Sequence, residues 1–361
     1  MKTTKKEFTS LVWLVLVLPV LLAGTPAQGQ QSAPGTYTTI DFPGAKDTVE
    51  CCSAILNIND EGEIVGGYLD KSGKGHGFLL SHGSFTTIDV PASVYTEALG
   101  INSQGHIVGA YVDATNFNVH GFLLKDSEFT TIDFPGAINT FVNWINSEGD
   151  MVGGYMDAAG NFHGLLVRRG AFTSFDYPGA SNTFGLGINA KGEIVGIYLD
   201  SSALNAHGFL FSKGRFDTFD FPGANTSVVA CSGFGGGVTY TDGINDEGAI
   251  VGGYCGADDH YHGFLFNRDD GAAFSTIDFP GAVNSFTSGI NSDDKIVGGY
   301  QSADGHYHGF VVSNSGVDMQ IAISATNKSN QSPQVSMHNN IHKLLRARLG
   351  FGKLGWSRSL H

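Results

Sequence analysis

The residues best equipped for chemistry in this sequence are histidines with an aspartate at a fixed distance. His76 and Asp89, His120 and Asp133, His163 and Asp176, and His207 and Asp220 each stand thirteen residues apart. His262 precedes Asp278 by sixteen, and His308 has Ile321 where its aspartate would fall. A carboxylate that orients an imidazole is a standard general-base unit, and a set of histidines could hold a metal. Both readings meet one obstacle. Six like pairs spread around a repeating structure cannot converge on one substrate, and equivalent outer positions stand too far apart to share an ion. The sequence therefore assigns no catalytic residue and no metal ligand. The pairs read as cross-strand hydrogen bonds that hold a register.

Other chemistry is thinly represented. Asn59-Asp60-Glu61-Gly62-Glu63 and Asp258-Asp259 are rich in oxygen, but no Asp-x-Asp-x-Asp-Gly loop with a distal glutamate follows. Calcium is thus the only cofactor with any signal, and a weak one. A Gly-x-Ser-x-Gly elbow, a His-Glu-x-x-His pair and a phosphate loop are all missing. Gly233–Gly237 lacks the lysine and the helix that phosphate binding needs.

The elements that position these residues come from repetition. An aspartate tag, typically Asp-Phe-Pro-Gly-Ala, places its Asp at 41, 89, 133, 176, 220 and 278. An Ile-Asn pair follows, with Asn at 59, 102, 146, 189, 245 and 291. Next come Tyr68, Tyr111, Tyr155, Tyr198, Tyr254 and Tyr300, and then the six His-Gly pairs. The period is 43–44 residues, stretched to 48 and 58 where loops lengthen.

Each unit reads as four short strands, A to D. In the fourth unit they are Thr183–Asn189, Glu193–Asp200, His207–Ser212 and Arg215–Phe221. Asn-x-x-Gly makes the A–B hairpin, and His82-Gly83, Arg169-Gly170 and Lys213-Gly214 make tight C–D turns. A two-residue turn at 82–83 sets Leu80 opposite Phe85, Phe78 opposite Thr87 and His76 opposite Asp89. Residues 36–43 read as a strand D with no A to C before it, and the last unit lacks a sound D. Joining the two ends predicts an all-β, six-bladed β-propeller of four-stranded blades, with the N-terminal strand completing the last blade and Asp41 supplied to His308.

The unit Gly-Ile-Asn-x-x-Gly-x-Ile-Val-Gly-x-Tyr…His-Gly-Phe-Leu resembles the HAF repeat family of extracellular bacterial repeat proteins. That family has His-Ala-Phe where this chain has His-Gly-Phe, and the resemblance covers residues 37–313. It implies a secreted, β-propeller-like protein and carries over no catalytic residue.

The ends read differently from the body. Lys2, Lys5 and Lys6 precede the apolar run Leu11–Ala23, and small residues follow up to Ala27, the pattern of a signal peptide spanning 1–27. The run is too short to cross a bilayer comfortably, and no later stretch is longer. The propeller spans 36–316, and 317–361 is a tail, largely disordered, whose basic Ile341–Trp356 segment could touch an anionic membrane. Net charge is −14, and both ends are basic, so the body is more acidic still. Such a body repels phosphate backbones, which excludes nucleic acid as a partner. Export also suggests oxidised cysteines. Cys231 and Cys255 fall on one face and read as a disulfide, whereas adjacent Cys51 and Cys52 can form only a strained bridge, stay free or link to another chain.

These observations lead to a secreted, extracellular or periplasmic binding module for a glycan or a surface protein. The D–A and B–C connections share one face, which carries the longest inserts. Tyr261, Tyr307, Phe162, Asp258 and Asp259 are its candidate ligand contacts. The competing readings are a metal-assisted propeller hydrolase or lyase, and a structural envelope repeat protein. The six tyrosines read first as packing between blades.

Overall fold

The computed structural model of the chain describes residues 35–45, 53–201, 205–225, 231, 239–268 and 272–313. The expected signal segment, Cys51, Cys52, the 269–271 hairpin, the bulk of the 226–237 insert and the 317–361 tail lie outside them.

Strand β1 (Thr36–Ile40) stands alone at the N-terminus. Unit one supplies β2 (Ser53–Ile58), β3 (Ile64–Leu69), β4 (Gly75–Ser81) and β5 (Ser84–Ile88). Unit two supplies β6 (Ser93–Ile101), β7 (Ile107–Asp113), β8 (Val119–Lys125) and β9 (Glu128–Ile132). Unit three supplies β10 (Asn139–Ile145), β11 (Met151–Met156), β12 (Phe162–Arg168) and β13 (Ala171–Phe175). Unit four supplies β14 (Asn182–Ile188), β15 (Ile194–Leu199), β16 (Ala206–Ser212) and β17 (Arg215–Thr218). Unit five supplies β18 (Thr239–Ile244), β19 (Ile250–Cys255), β20 (Tyr261–Asn267) and β21 (Ala273–Ile277). The last unit has only β22 (Asn284–Ile290), β23 (Ile296–Gln301) and β24 (Tyr307–Ser313).

Within units three to five, consecutive strands pair antiparallel into four-stranded sheets. A fourth such sheet runs β1-β24-β23-β22, with Thr36 opposite Ser313 and Ile40 opposite Gly309. The C–D register follows the turn arithmetic: Phe78 faces Thr87 and Leu80 faces Phe85. Tight turns explain it, since His82, Arg169 and Lys213 adopt positive φ ahead of a glycine.

Units one and two depart from the expected separation and form one eight-stranded sheet. Among the described residues the one strand pairing between them is the parallel bridge Gly75↔Tyr95. Its cause is local. Other units carry a side chain before the histidine, but at Gly75 an added Cβ would lie 2.0 Å from the Tyr95 ring. Tyr95 occupies that space and draws the two backbones together.

Burial follows the repeat. The phenylalanine of His-Gly-Phe is wholly buried at Phe78, Phe122, Phe209, Phe264 and Phe310, with Leu165 in the same place in unit three. Each anchors an apolar cluster shared with a neighbouring unit: Val65 of unit one with Ile101 and Phe122 of unit two, and Val195 of unit four with Ile244 and Phe264 of unit five. Val297 and Val311 of the last unit join Ile55, Ile58 and Ile64 of the first. Each fully buried side chain of this size stabilises the fold by about 1.5–3 kcal/mol. Radial sheets packed face to face in this way form a β-propeller. No helix among the described residues is long and apolar enough to cross a membrane.

Candidate functional site

The six histidines are the second residues of strand C, where each sits opposite the tyrosine near the end of strand B, as in Tyr68↔His76 and Tyr254↔His262. Every Nδ1 meets its aspartate. The distances are 2.8 Å for His76–Asp89, 2.9 Å for His120–Asp133, His163–Asp176 and His207–Asp220, and 2.8 Å for His262–Asp278. His308 reaches Asp41 at 3.0 Å, 267 residues away in sequence.

The imidazole also stacks on its tyrosine, with ring centres 5.0 Å apart at Tyr68–His76 and 5.3 Å at Tyr254–His262. The tyrosine's other face takes the aromatic residue of the preceding Asp-Phe-Pro-Gly loop. Phe42 lies 3.7 Å from Tyr68, Phe134 3.8 Å from Tyr155, and Tyr177 3.6 Å from Tyr198. Unit two has Val90 in this place, in the same cluster as Tyr111. Each hydroxyl bonds a strand D residue, such as Tyr68 with Thr87 at 2.9 Å and Tyr300 with Thr39 at 3.0 Å. These tyrosines are packing residues and offer no stacking platform.

Three histidines are held at both nitrogens. Nε2 of His76, His163 and His262 reaches Asp70, Asp157 and Asp258 of the B–C loops at 3.4, 3.3 and 3.2 Å. Burial works against charge on His262, but the bonds and charges of Asp278 and Asp258 outweigh it and lift its pKa to about 9. Asp157 falls to about 2, chiefly because its carboxylate accepts the backbone N–H of Asn161. The loop aspartates thus shape their own turns and clamp the imidazole.

The proposed ligand contacts divide. Asp258 is exposed but bonded to His262, and Asp259 is exposed with Oδ1 accepting Asn225 Nδ2 at 3.0 Å. Tyr307 is partly exposed at the start of β24, opposite Gln301. Phe162 and Tyr261 require correction: they are 7% and 1% exposed and lie in the core. Each is the first residue of strand C, and strand alternation turns it away from the histidine's side. Phe162 packs 5.1 Å from Phe184, and Tyr261 lies 5.8 Å from Tyr240 beside the Cys231–Cys255 disulfide. No three of His, Cys, Asp and Glu gather as a metal site among the described residues.

The central axis holds what the sequence reading overlooked. Asn59 Nδ2 donates to the Asn102 carbonyl, Asn102 to Asn146, Asn146 to Asn189, Asn189 to Asn245, and Asn245 to Asn291, at 2.9–3.2 Å. Asn291 then donates to Asn59 at 3.0 Å. Each Oδ1 accepts the backbone N–H four residues on, as from Glu63 at 2.8 Å and Ala249 at 2.8 Å, which closes the A–B hairpin. All six are buried and satisfied. The available signal was their recurrence in every unit, which the reading credited to the hairpin alone. At the ring lies a depression of about 60 Å³ lined by residues of all six units, among them Asn59, Asn146, Asn245 and Trp144.

Two acids inside strand A break the repeat. Burial raises Glu97 to about 7, against a bond from Tyr95 that lowers it, and raises Asp242 to about 8.

No family model matches the chain, and no curated protein matches it. Among solved structures, TolB from Acinetobacter baumannii has a TM-score of 0.47 at 11% identity, over 70% of this chain and 64% of that one. This chain therefore spans less than two thirds of the TolB chain. The Aleuria aurantia lectin, described as a fungal six-bladed β-propeller with a fucose recognition mode, gives 0.46 at 13%, over 76% and 99%. A gluconolactonase from Xanthomonas campestris gives 0.44 at 9%, over 79% and 99%. Likenesses this distant carry no argument about what the chain binds.

Proposed function

We propose that the chain is a secreted, non-catalytic binding module of the HAF-repeat type, a six-bladed propeller that recognises a glycan or another extracellular component. In this reading the eight-stranded sheet is two blades joined by one bridge, and β1 is strand D of the sixth blade. The binding surface is the face of the D–A and B–C connections, with Tyr307 and Asp259 at its rim. The protein works outside the cytoplasm, where its disulfide persists.

The observation that carries this reading is that all six histidines make the same Nδ1–Asp bond. A catalytic dyad is singled out from its copies by its surroundings, but here every Nδ1 spends its bond inside its own blade. The B–C loops are pre-shaped by aspartates that bond their own turns, so little ordering entropy opposes a ligand.

The test is a glycan-array screen of the secreted protein, with and without added calcium, followed by turnover assays on any glycan retained. Calcium-independent retention without turnover, weakened by Tyr307→Ala, is the expected result. Release of cleaved product from a retained glycan would overturn the reading.

A further inference from the structure

Every strand A carries a bulge at one position, occupied in turn by Leu56, Leu99, Asn143, Leu186, Asp242 and Ser288. A bulged residue has no partner on the neighbouring strand and its side chain is re-aimed. In the first five units the bulged residue is partly accessible while the residues flanking it are buried. Strand A is the strand that ends at the asparagine ring, so these side chains are set about the axis, where they would border a lumen.

That lumen narrows toward the ring. Trp144, next to a bulge, reaches across to Gly243, where an added Cβ would lie 3.0 Å from its indole. Access is therefore from the opposite end, where strands A begin and the D–A connections lie.

Two polar bulge residues are spent on structure. Asn143 Nδ2 donates to the Gly185 carbonyl at 2.8 Å, and Ser288 Oγ donates to the Ile55 carbonyl at 2.9 Å, each on the next unit's strand A. Asp242 holds the same position but makes no such bond to the next unit. It has no hydrogen-bond or ion-pair partner among the described residues. Two residues earlier is Tyr240, whose hydroxyl pKa is raised by burial first and then by the charges of Tyr261 and Asp242. At Tyr240's position units three, four and six have Phe141, Phe184 and Phe286, whereas unit two has Glu97.

We propose that this axial lumen is a binding site for an organic cation bearing a primary ammonium group, with Asp242 as its counter-ion and Tyr240 and the bulged leucines enclosing its alkyl part. An ammonium supplies the donors and the charge that Asp242 lacks, and an aromatic wall adds cation–π attraction. A metal ion is the poorer fit, since no three ligand residues gather there. A chain of net charge −14 also draws cations toward it. Because burial holds Glu97 and Asp242 partly protonated near neutrality, a bound cation must displace protons.

The experiment is calorimetric titration of the full-length secreted protein with n-butylammonium chloride at pH 7, in two buffers of different ionisation enthalpy. Saturable binding with release of about one proton per site is expected. Asp242→Asn, a neutral isostere, should weaken binding at least about tenfold and abolish the proton release. Wild-type affinity should also rise between pH 6 and 9, a readout that survives if the variant fails to fold. No saturable heat, equal binding by Asp242→Asn, or affinity independent of pH would each overturn the site. Asp242-dependent binding of methyl α-glucoside in place of the amine would overturn it in favour of a neutral ligand.

Discussion

Asn291 Nδ2 donates to the carbonyl oxygen of Asn59 at 3.0 Å, across 232 residues of sequence. That bond returns a chain of asparagine contacts to its start, and the contact of Tyr300 with Thr39 does the same at the outer strands. Closure is thus made twice, at the axis and at the rim. A sheet edge left open at either place would expose unpaired backbone groups.

Closure predicts that the asparagines are worth more than turn residues. Asn245 donates to Asn291 and accepts the backbone N–H groups of Gly248 and Ala249, all buried. Asn245→Ala should cost about 2–4 kcal/mol, since it leaves buried donors and an acceptor unpaired. Urea unfolding checks it. A loss under about 1 kcal/mol would mean that water replaces the side chain there.

The histidines should fall into two groups. His120, His207 and His308 hold one aspartate each at Nδ1, so removing any of them should cost about 1 kcal/mol. His76, His163 and His262 also anchor a B–C loop, and their alanine variants should lose about 2–3 kcal/mol. Melts of the six variants beside a binding assay test this. One variant that keeps its stability but loses all function would revive a catalytic pair.

Much of this was legible because repetition converts spacing into register. The tight C–D turn at Lys213-Gly214 sets His207 opposite Asp220 by spacing alone, and the unpaired Asp41 strand points to His308. Three things were hidden. Phe162 and Tyr261 look like loop aromatics because they adjoin B–C loops, and only strand alternation shows that they turn inward. The asparagine ring joins residues that never approach in sequence, so a hairpin role sufficed to explain them. The bulge needs strand B for comparison, since Asp242 shows no anomaly except against its paired neighbours.

Cys231 and Cys255 are bonded across 24 residues, tying the fifth D–A insert to the end of β19. Closing a loop of that length stabilises a fold by about 3 kcal/mol in the chain-entropy model. Peptide mapping without reductant should recover the linked pair, and Cys231→Ser with Cys255→Ser should lower stability by an amount of that order. Two free thiols in protein kept from reductant would contradict the bridge.

Tyr37 occupies a place held elsewhere by Phe85, Phe129, Phe172, Phe216 and Phe274. Its buried hydroxyl has no partner among the described residues, and burial together with the Asp278 charge pushes its pKa up to about 12. Removing an unsatisfied buried polar atom should be neutral or stabilising, so Tyr37→Phe is expected to raise stability by up to about 1 kcal/mol. A loss would show that the hydroxyl is bonded through water.

The doubly held His262 gives the fold a pH dependence with a definite sign. Its folded pKa of about 9 lies above the ordinary 6.5, so the native state binds the extra proton between those values. The stability it contributes is complete below about pH 6.5 and is lost as pH rises through about 9. With the side chain 21% exposed, solvent screening reduces the effect to about 2 kcal/mol. Glu97 and Asp242 confuse a simple scan. Their raised pKa values also make the native state the better proton binder, so they lower stability as pH climbs through 7 and 8. The difference between wild type and His262→Gln isolates the imidazole, because the two acids are common to both proteins. That difference, taken from urea unfolding, should be larger by about 2 kcal/mol at pH 6.5 than at pH 9.5. An equal difference at both pH values would mean that the imidazole is neutral throughout, and that Asp258 and Asp278 do not share its charge.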